Sequence, residues 1–304
     1  MKRHSHMILP PALEPGARVA VVAPAGACAP SNLLAGIEIL RAAGLDPLLD
    51  QSVYARQGYL AGSDQNRAAF LMSAFLDPTV DAIVCARGGY GCMRILEHLD
   101  FDLIARHPKR LLGFSDISAL IWTLNSRSGM VGFHGPTAAG LADADRETIM
   151  GLDVFIRPDP EMAISLAGGR ALADGWAVGR LCGGNLSTIC HLMGTPFAPH
   201  FEGTIAILED RAEAPYRIDR MLTQLRLGGV FEGARAVVLG DFTDCGAAED
   251  LQRVFQDRLG DLCIPVMAGL PVGHGARNIT LPMGMTACLD TARKKLEVGR
   301  APGR

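Results

Sequence analysis

The residue with the clearest capacity for chemistry is Ser115, in the stretch LLGFSDISAL that covers residues 111–120. An apolar run ends at Gly113, and Ser115 and Asp116 then open a segment with helical spacing. Ser and Asp are favoured at helix starts, because their side-chain oxygens accept hydrogen bonds from unpaired N–H groups of the first turn. The pattern G-x-S-D lacks the second glycine of the G-x-S-x-G nucleophile turn. The spacing therefore leaves Ser115 as either a helix cap or a nucleophile.

A serine nucleophile needs a base, and the base needs an acid that orients it. Two histidines, His134 in GFHGP and His274 in PVGHGARN, follow apolar strands and are flanked by glycine. The candidate acids are Glu209, Asp210, Asp116 and Asp241. Glu209 and Asp210 end the strand TIAILED, and adjacent strand residues point to opposite faces, so only one of them can face a given site. Spacing does not choose between the two acids, nor between the two histidines.

The glycine-rich turn CARGGYG, residues 85–91, could bind an anion or stabilise an oxyanion through its backbone N–H groups, or it could be only a tight turn. Its glycines do not match G-x-G-x-x-G, and G-x-x-x-x-G-K-[ST] is absent from the sequence, which argues against a nucleotide loop. Arg87 in this turn could hold a carboxylate or could form a surface ion pair.

Composition and motifs exclude several classes of function. The sequence has 304 residues, 49% of them apolar and 20% charged, with a net charge of −3, so nothing favours nucleic-acid binding. The apolar runs are shorter than a membrane span, and the first residues lack the apolar stretch of a signal peptide, so a cytoplasmic location is the default. The eight cysteines show no C-x-x-C pair, H-E-x-x-H is absent, and neither a metal nor a cofactor is expected.

The elements that would position these residues alternate along the first half of the chain. Strand-like runs near residues 17–26, 80–88, 110–115 and 130–136 alternate with helical patterns, and such alternation predicts an α/β domain with a parallel sheet and helices on both faces. Functional residues gather at the carboxyl ends of such strands, where Ser115, Gly88, Gly89 and His134 would lie.

The pattern changes near Val154, after which prolines, glycines and short alternating pieces replace the long helices. We therefore expect an N-terminal domain over residues 1–155, a linker over 156–177, and a smaller C-terminal α/β domain with mixed strands over 178–304. Two late strands of the C-terminal domain are expected near NITLPMGMTACLD and KLEV.

Eight stretches, in order, resemble one known family: VAVVAPAG, RGGYG, GFSDISAL, FHGP, GGNLS, GTP, LEDRAEAPYRIDRMLTQL and GHG followed by TLPMG. They are similar to the serine LD-carboxypeptidases, or muramoyltetrapeptide carboxypeptidases, a family that includes the microcin-immunity hydrolases. The resemblance extends from about Gly16 to Val298. Departures such as RAEAPYR after Glu209 spare the motif residues but leave the substrate preference open.

The resemblance implies a catalytic triad whose serine lies on the first domain and whose partners lie on the second. By motif matching, the triad would be Ser115, Glu209 and His274, and the oxyanion hole would be the backbone N–H groups of Gly89 and Asp116. Chain position adds Arg87, Gly88 and Tyr90 as candidate substrate-binding residues.

The implied activity is the removal of the terminal D-alanine from cytoplasmic murein tetrapeptide during peptidoglycan recycling, through an acyl-enzyme. The family also suggests a homodimer, with a small peptide as the only substrate partner. Two alternatives remain: a hydrolase of microcin-like peptide-nucleotide conjugates, and a non-catalytic peptide-binding protein. Only two tryptophans are present to stack on an adenine ring, so nothing in the composition favours the nucleotide substrate.

Overall fold

The computed structural model describes residues 7–157 and 159–299 and divides into two compact units. The first unit is Met1–Asp159 with Asn278–Gly284, and the second is Pro160–Arg277 with Met285–Arg304. Residues 1–6, 158 and 300–304, which the expected ranges 1–155, 156–177 and 178–304 include, lie outside the described residues.

The strands, in chain order, are β1 (Arg18–Val22), β2 (Asp46–Leu49), β3 (Ala82–Cys85), β4 (Arg110–Gly113), β5 (Gly132–His134), β6 (Met162–Ser165), β7 (Arg170–Ala173), β8 (Trp176–Asn185), β9 (Thr204–Arg211), β10 (Ala236–Thr243), β11 (Val266–Ala268), β12 (Leu281–Met283), β13 (Thr286–Asp290) and β14 (Lys295–Val298).

The α-helices are α1 (Pro30–Ala42), α2 (Asp64–Leu76), α3 (Cys92–Ile95), α4 (Phe101–Arg106), α5 (Ile117–Thr123), α6 (Arg146–Met150), α7 (Leu152–Ile156), α8 (Leu186–His191), α9 (Pro215–Leu227) and α10 (Ala248–Leu259). Short 3-10 helices cover Gln51–Tyr54, Leu96–His98 and Ala139–Asp143, and a π-helical turn covers Leu124–Ser128.

The first unit contains a six-stranded sheet in the order β12-β5-β4-β3-β1-β2. All pairings are parallel except that of β12 with β5. The central strands β3 and β4 are buried along their whole length, as expected of strands inside a parallel sheet, and the buried residues include Arg110 at the start of β4. Because β1, β3 and β4 are parallel, the loops that follow them meet at one edge of the sheet.

The second unit contains an eight-stranded sheet in the order β6-β14-β13-β8-β9-β10-β11-β7. Strands β8 to β11 are parallel, and the outer strands pair antiparallel, so the sheet is mixed. Strand β9 is buried from Thr204 to Asp210, which places the end of this strand in the interior of the sheet. The expectation of an α/β chain with a parallel first sheet and a mixed second sheet is confirmed.

Two expectations about chain division are corrected. Residues 156–177 were expected to form a linker, but β6 pairs with β14 and β7 pairs with β11, so the segment supplies both edges of the second sheet. Residues 278–284 were expected in the second domain, yet β12 pairs with β5 in the first sheet. Short stretches of alternating apolar and polar residues occur both in linkers and in edge strands, so the sequence does not distinguish them. The sequence of a three-residue strand also does not indicate which strand it pairs with.

Candidate active site

Ser115 occupies a sharp turn between β4 and α5. Its backbone φ is +64°, in the left-handed region that non-glycine residues rarely adopt. Strain of this kind persists only where the surrounding structure imposes it, and it clusters at functional sites. The turn is closed by hydrogen bonds from Ser118 N to Ser115 O (2.9 Å) and from Ile117 N to Phe114 O (3.3 Å). Ser115 therefore sits on a strained strand-to-helix turn, the arrangement that displays a serine nucleophile.

The missing second glycine of the motif has a simple physical explanation. A Cβ on Gly113 would lie 3.0 Å from both γ-carbons of Ile117 and 3.1 Å from Cβ of Cys85. Ile117 occupies the position of the missing glycine, and its side chain fills the space above Gly113. The turn thus needs a glycine two residues before the serine but accepts isoleucine two residues after it.

The glycine-rich turn after β3 runs directly beside the serine. A Cβ on Gly88 would lie 2.8 Å from Cβ and 3.1 Å from Oγ of Ser115, so no other residue fits at this position. Gly89 has a φ of +102°, and the carbonyl of Gly88 accepts a hydrogen bond from Gly26 N at 3.0 Å. The loops after β1, β3 and β4 are therefore in direct contact around Ser115.

Two backbone donors in these turns are available to a ligand. Within residues 7–157 and 159–299, the N–H groups of Gly89 and Asp116 donate to no acceptor. One lies in the glycine-rich turn and the other directly follows Ser115. N–H groups placed in this way can stabilise the oxyanion that forms when a serine attacks a carbonyl.

The Asp116 side chain points away from such a role. Only 6% of Asp116 is exposed, and its carboxylate accepts a hydrogen bond from Cys92 N at 2.7 Å. Burial raises the pKa of this carboxyl, while the hydrogen bond from Cys92 and the charge of Arg67 oppose the increase. Asp116, one of the candidate acids, therefore uses its side chain to tie two turns together.

Arg87 and Tyr90 flank the glycines on the exposed side of the turn. The guanidinium of Arg87 donates from Nη1 to the carbonyl of Ala27 at 2.6 Å, and no carboxylate of the described chain forms an ion pair with it. Tyr90 is 45% exposed, and its ring centroid lies 5.8 Å from that of Tyr59. The surface ion pair that was considered for Arg87 is not formed, so its charge remains available to an anionic ligand.

In the second unit, the end of β9 carries a carboxylate–imidazole pair. Glu209 is fully buried, and its Oε2 lies 2.7 Å from Nδ1 of His274. Burial raises the pKa of Glu209, whereas the hydrogen bond and charge of His274 lower it. A proton on Nδ1 shared with the carboxylate leaves Nε2 as the basic nitrogen, which is the tautomer a general base requires.

Three glycines allow the loop that carries His274 to lie against Glu209 and its neighbours. A Cβ on Gly273, which has a φ of +123°, would lie 2.6 Å from Oε2 of Glu209. A Cβ on Gly240 would lie 2.4 Å from the carbonyl of Val272, at an irregularity in the pairing of β9 with β10. Gly275 is excluded from bearing a side chain by Asp241, whose Oδ2 would be 2.1 Å away. The flanking glycines of VGHG are therefore explained by close approach.

Asp210 faces the opposite side of β9 and serves a structural role. Its Oδ1 accepts from Asn185 Nδ2 at 3.0 Å and from Arg211 N at 2.8 Å, and its Oδ2 accepts from the amide and hydroxyl of Ser187 at 2.9 and 2.7 Å. The expected division of the two adjacent acids between opposite faces holds. The structure brings Glu209, and not Asp210, to a histidine.

Asn185, in the stretch GGNLS, is a residue of this site that the sequence does not predict. Besides its bond to Asp210, its side chain hydrogen-bonds to Glu209 and lowers the pKa of that carboxyl. The signal in the sequence was an asparagine between a strand and a helix, and Asn185 indeed caps α8 by accepting from Thr188 N at 3.0 Å. Capping alone would not have revealed its contact with two carboxylates.

The other candidate histidine belongs to the core of the first unit. His134 ends β5, has no exposed surface, and lies edge-on to Phe114 with ring centroids 6.0 Å apart. Across residues 7–157 and 159–299, no group of three or more His, Cys, Asp or Glu side chains is arranged to hold a metal ion. Helices of the same residues are all too short or too polar to cross a bilayer.

Comparison with known families accounts for this pair of units. Residues 19–135 match the model of the LD-carboxypeptidase N-terminal domain, and residues 178–289 match that of the LD-carboxypeptidase C-terminal domain. The chain belongs to the LD-carboxypeptidase family. The predicted family and the predicted enzyme class, a serine-type peptidase, are thereby confirmed.

The relatives include both murein peptide carboxypeptidases and a microcin self-immunity protein. The murein tetrapeptide carboxypeptidase of Pseudomonas aeruginosa is 37% identical over 292 residues, covering 91% of this chain and 94% of the relative. The crystal structure of muramoyltetrapeptide carboxypeptidase from Oxalobacter formigenes has a TM-score of 0.84 and 31% identity, covering 94% of this chain and 100% of that one. The microcin C7 self-immunity protein of Escherichia coli is 25% identical over 310 residues, covering 91% and 90% of the two chains.

Proposed function

We propose that this LD-carboxypeptidase family member removes the terminal D-alanine from murein tetrapeptide. The observation that carries the proposal is the turn at Ser115, which combines a left-handed serine with two unused N–H donors beside it. The substrate follows from the relative named murein tetrapeptide carboxypeptidase, which is 37% identical.

In the proposed mechanism, Nε2 of His274 takes the proton of the Ser115 hydroxyl as Oγ attacks the carbonyl of the scissile bond. Glu209, fully buried and bonded to Nδ1, orients the ring and stabilises the imidazolium that forms. The N–H groups of Gly89 and Asp116 bind the developing oxyanion. The imidazolium then returns its proton to the departing amine of D-alanine, and water hydrolyses the acyl-enzyme with His274 again as base. The mechanism requires the Ser115 hydroxyl to reach Nε2 of His274 in the working enzyme.

A carboxypeptidase must also recognise a free terminal carboxylate. We assign this role to Arg87, whose guanidinium has no carboxylate partner in the described chain, together with the turn at Gly88 and Tyr90. The same proposal places the reaction in the cytoplasm, in the recycling of wall fragments, with the enzyme acting as a homodimer.

The first test is release of D-alanine by the purified enzyme from murein tetrapeptide without added metal. We expect Ser115→Ala to abolish release while leaving the circular dichroism spectrum and melting temperature nearly unchanged. Turnover that persists in Ser115→Ala would refute the nucleophile assignment. Murein tripeptide and an aminoacyl-sulfamoyl adenylate serve as parallel substrates, and hydrolysis of the adenylate alone would replace the murein substrate with the microcin-type one.

A further inference from the structure

Arg67 in α2 is a buried arginine that the mechanism above does not use. Only 2% of it is exposed, and its Nη1 donates to the carbonyl of Gly91 at 2.8 Å and also to the carbonyl of Pro24. Its Nη2 pairs with Asp64, which is held in turn by Arg94 at 2.7 Å. Burying a guanidinium is costly unless its donors are hydrogen-bonded. Nη1 and Nη2 of Arg67 have such partners, whereas Nε has none among the described residues, so the two terminal nitrogens hold the partners in place.

Arg67 and Asp116 bind opposite ends of one peptide group. The carbonyl of the Gly91–Cys92 peptide accepts from Arg67, and its N–H donates to Oδ2 of Asp116 at 2.7 Å. The charge of Arg67 also lowers the pKa of the Asp116 carboxyl, although burial raises it more. The result is a clamp, formed by Arg67, the Gly91–Cys92 peptide and Asp116, with Ser115 directly before its last member.

The clamp connects the three loops that surround Ser115. Arg67 reaches the loop after β1 at Pro24 and the turn after β3 at Gly91, and Asp116 belongs to the turn after β4. The two N–H groups proposed as oxyanion donors lie in two of these loops, at Gly89 and Asp116. Their separation therefore depends on how the clamp holds the loops.

The space beside the Arg67 guanidinium requires glycine at position 91. Gly91 has a φ of +138°, and a Cβ there would lie 2.6 Å from Nη1 of Arg67. Arg67 binds the carbonyls of Pro24 and Gly91 and the carboxylate of Asp64 at the same time. The planar guanidinium presents several N–H donors in a fixed geometry, whereas the ammonium of a lysine is a compact point charge on a flexible stem. The sequence thus places arginine opposite a glycine that cannot be replaced.

We propose that Arg67 is a positioning residue that sets the distance between the Gly89 and Asp116 N–H donors of the oxyanion site. The inference rests on the proposed function, since it assigns these N–H groups to the transition state. Interactions that act only on the transition state affect kcat and leave KM unchanged. Loss of the clamp is therefore expected to lower kcat with little change in KM.

The test compares Arg67→Met and Arg67→Lys with Arg110→Met. Arg110 is also fully buried in the first unit and donates to the carbonyls of Pro11 (2.7 Å) and Phe155 (2.6 Å), away from the three loops. Both Met variants should lose stability. In the fraction that is folded, Arg67→Met should lose roughly 100-fold in kcat, the effect of a small misplacement of catalytic groups, while Arg110→Met keeps the wild-type kcat. Arg67→Lys should recover part of the loss.

A second measurement, amide hydrogen exchange, does not depend on catalytic turnover. Amide hydrogen exchange of the full-length enzyme should show faster exchange at Cys92, whose N–H donates to Asp116, in Arg67→Met but not in Arg110→Met. If the wild-type enzyme released no D-alanine, the proposed function would fail, and amide exchange would still decide whether the clamp exists. Wild-type kcat together with unchanged exchange at Cys92 would overturn the inference. If Arg67→Met does not fold, Arg67→Lys is judged by the same two measurements.

Discussion

The carboxyl group of Glu209 makes the stability of the fold depend on pH. It is fully buried, and burial raises its pKa above the ordinary value of 4.5, against the opposing effect of His274. A carboxyl whose pKa is higher in the folded than in the unfolded state binds its proton more tightly when folded. Its contribution to stability is complete below the unfolded pKa and is lost as pH rises through the folded pKa. Burial of this carboxyl therefore lowers the stability of the fold as pH rises above the unfolded pKa.

We therefore expect Glu209→Gln to separate activity from stability. The amide cannot stabilise an imidazolium, so kcat should fall roughly 10²- to 10⁴-fold, as when the acid of a serine triad is replaced. At pH 7 the variant should melt at or above the wild-type temperature, and this difference should shrink toward pH 4. Calorimetry across that pH range, with D-alanine release at pH 7, checks both parts.

The adjacent acid provides the control for this substitution. Asp210→Asn should lose stability, by about 1–3 kcal/mol, because the new NH2 group faces donors from Asn185, Ser187 and Arg211. Equal effects of the two substitutions on melting would contradict the division of roles between the faces of β9.

For individual residues, the sequence identifies the candidates for the site but not the contacts between them. Alternation along β9 shows that Glu209 and Asp210 face opposite ways, yet only the fold shows which of them meets the loop of His274. Family resemblance selected Glu209 and His274, and the structure brings these two together. The left-handed turn at Ser115 leaves no mark in the pattern G-x-S-D, because Ile117 replaces the expected glycine.

Among the elements, α1 shows how closely a helix can approach a neighbouring backbone. Gly36 lies in the middle of α1, where glycine is unfavourable by about 0.5–1 kcal/mol relative to alanine. A Cβ there would lie 1.7 Å from the carbonyl oxygen of Ala138, the residue at the turn that directly precedes the 3-10 helix Ala139–Asp143. Close packing of α1 against this turn therefore outweighs the helix propensity of position 36.

Gly36→Ala is expected to destabilise the protein, by roughly 1–3 kcal/mol or more, since the obstacle is backbone that must move. Gly168→Ala is the matched control, because a Cβ there meets nothing within 4 Å, and its effect should stay within about 0.5 kcal/mol. Urea denaturation of both variants measures the difference. A more stable Gly36→Ala variant would show that α1 can shift away from Ala138.

Long elements with regular spacing were predictable, and short ones were not. Apolar residues at spacings of three and four follow Ser31 and Asp64 and indicate helices there, and α1 and α2 begin within one residue of these positions. Strand β2 is not predicted by the sequence, because DPLL is short and contains a proline. Proline is tolerated here because β2 lies at the edge of the sheet. Periodicity needs several turns to register, whereas a three- or four-residue strand is defined by the partner it pairs with.

For the whole molecule, the main feature is that the chain passes from the first unit to the second, returns to the first, and ends in the second. It leaves the first unit after Asp159, returns to it for Asn278–Gly284, and goes back to the second unit at Met285. The returning strand β12 forms the edge of the first sheet by pairing with β5, where Leu281 lies opposite His134. Each unit is thus built from two separate pieces of sequence.

This route predicts which unit a late substitution affects. Leu281→Ala should cost roughly 2–5 kcal/mol, as for other fully buried leucines, and should loosen amides of β4 and β5. Leu289→Ala, equally buried eight residues later in β13, should instead loosen β8 in the second sheet. Hydrogen exchange measured by mass spectrometry separates the two patterns, and the same pattern for both variants would contradict the assignment of β12.

The position of β12 also governs folding during synthesis. Proteins emerge from the ribosome amino terminus first, and domains generally fold as they are completed. Here the turn that carries Ser115 emerges early, but the sheet behind it keeps β5 as an open edge until residues 281–283 have left the exit tunnel. A nascent chain of this enzyme therefore exposes β5 as an unpaired strand edge from the emergence of β5 until that of β12, and we expect chaperones that cover sheet edges to bind it during this interval.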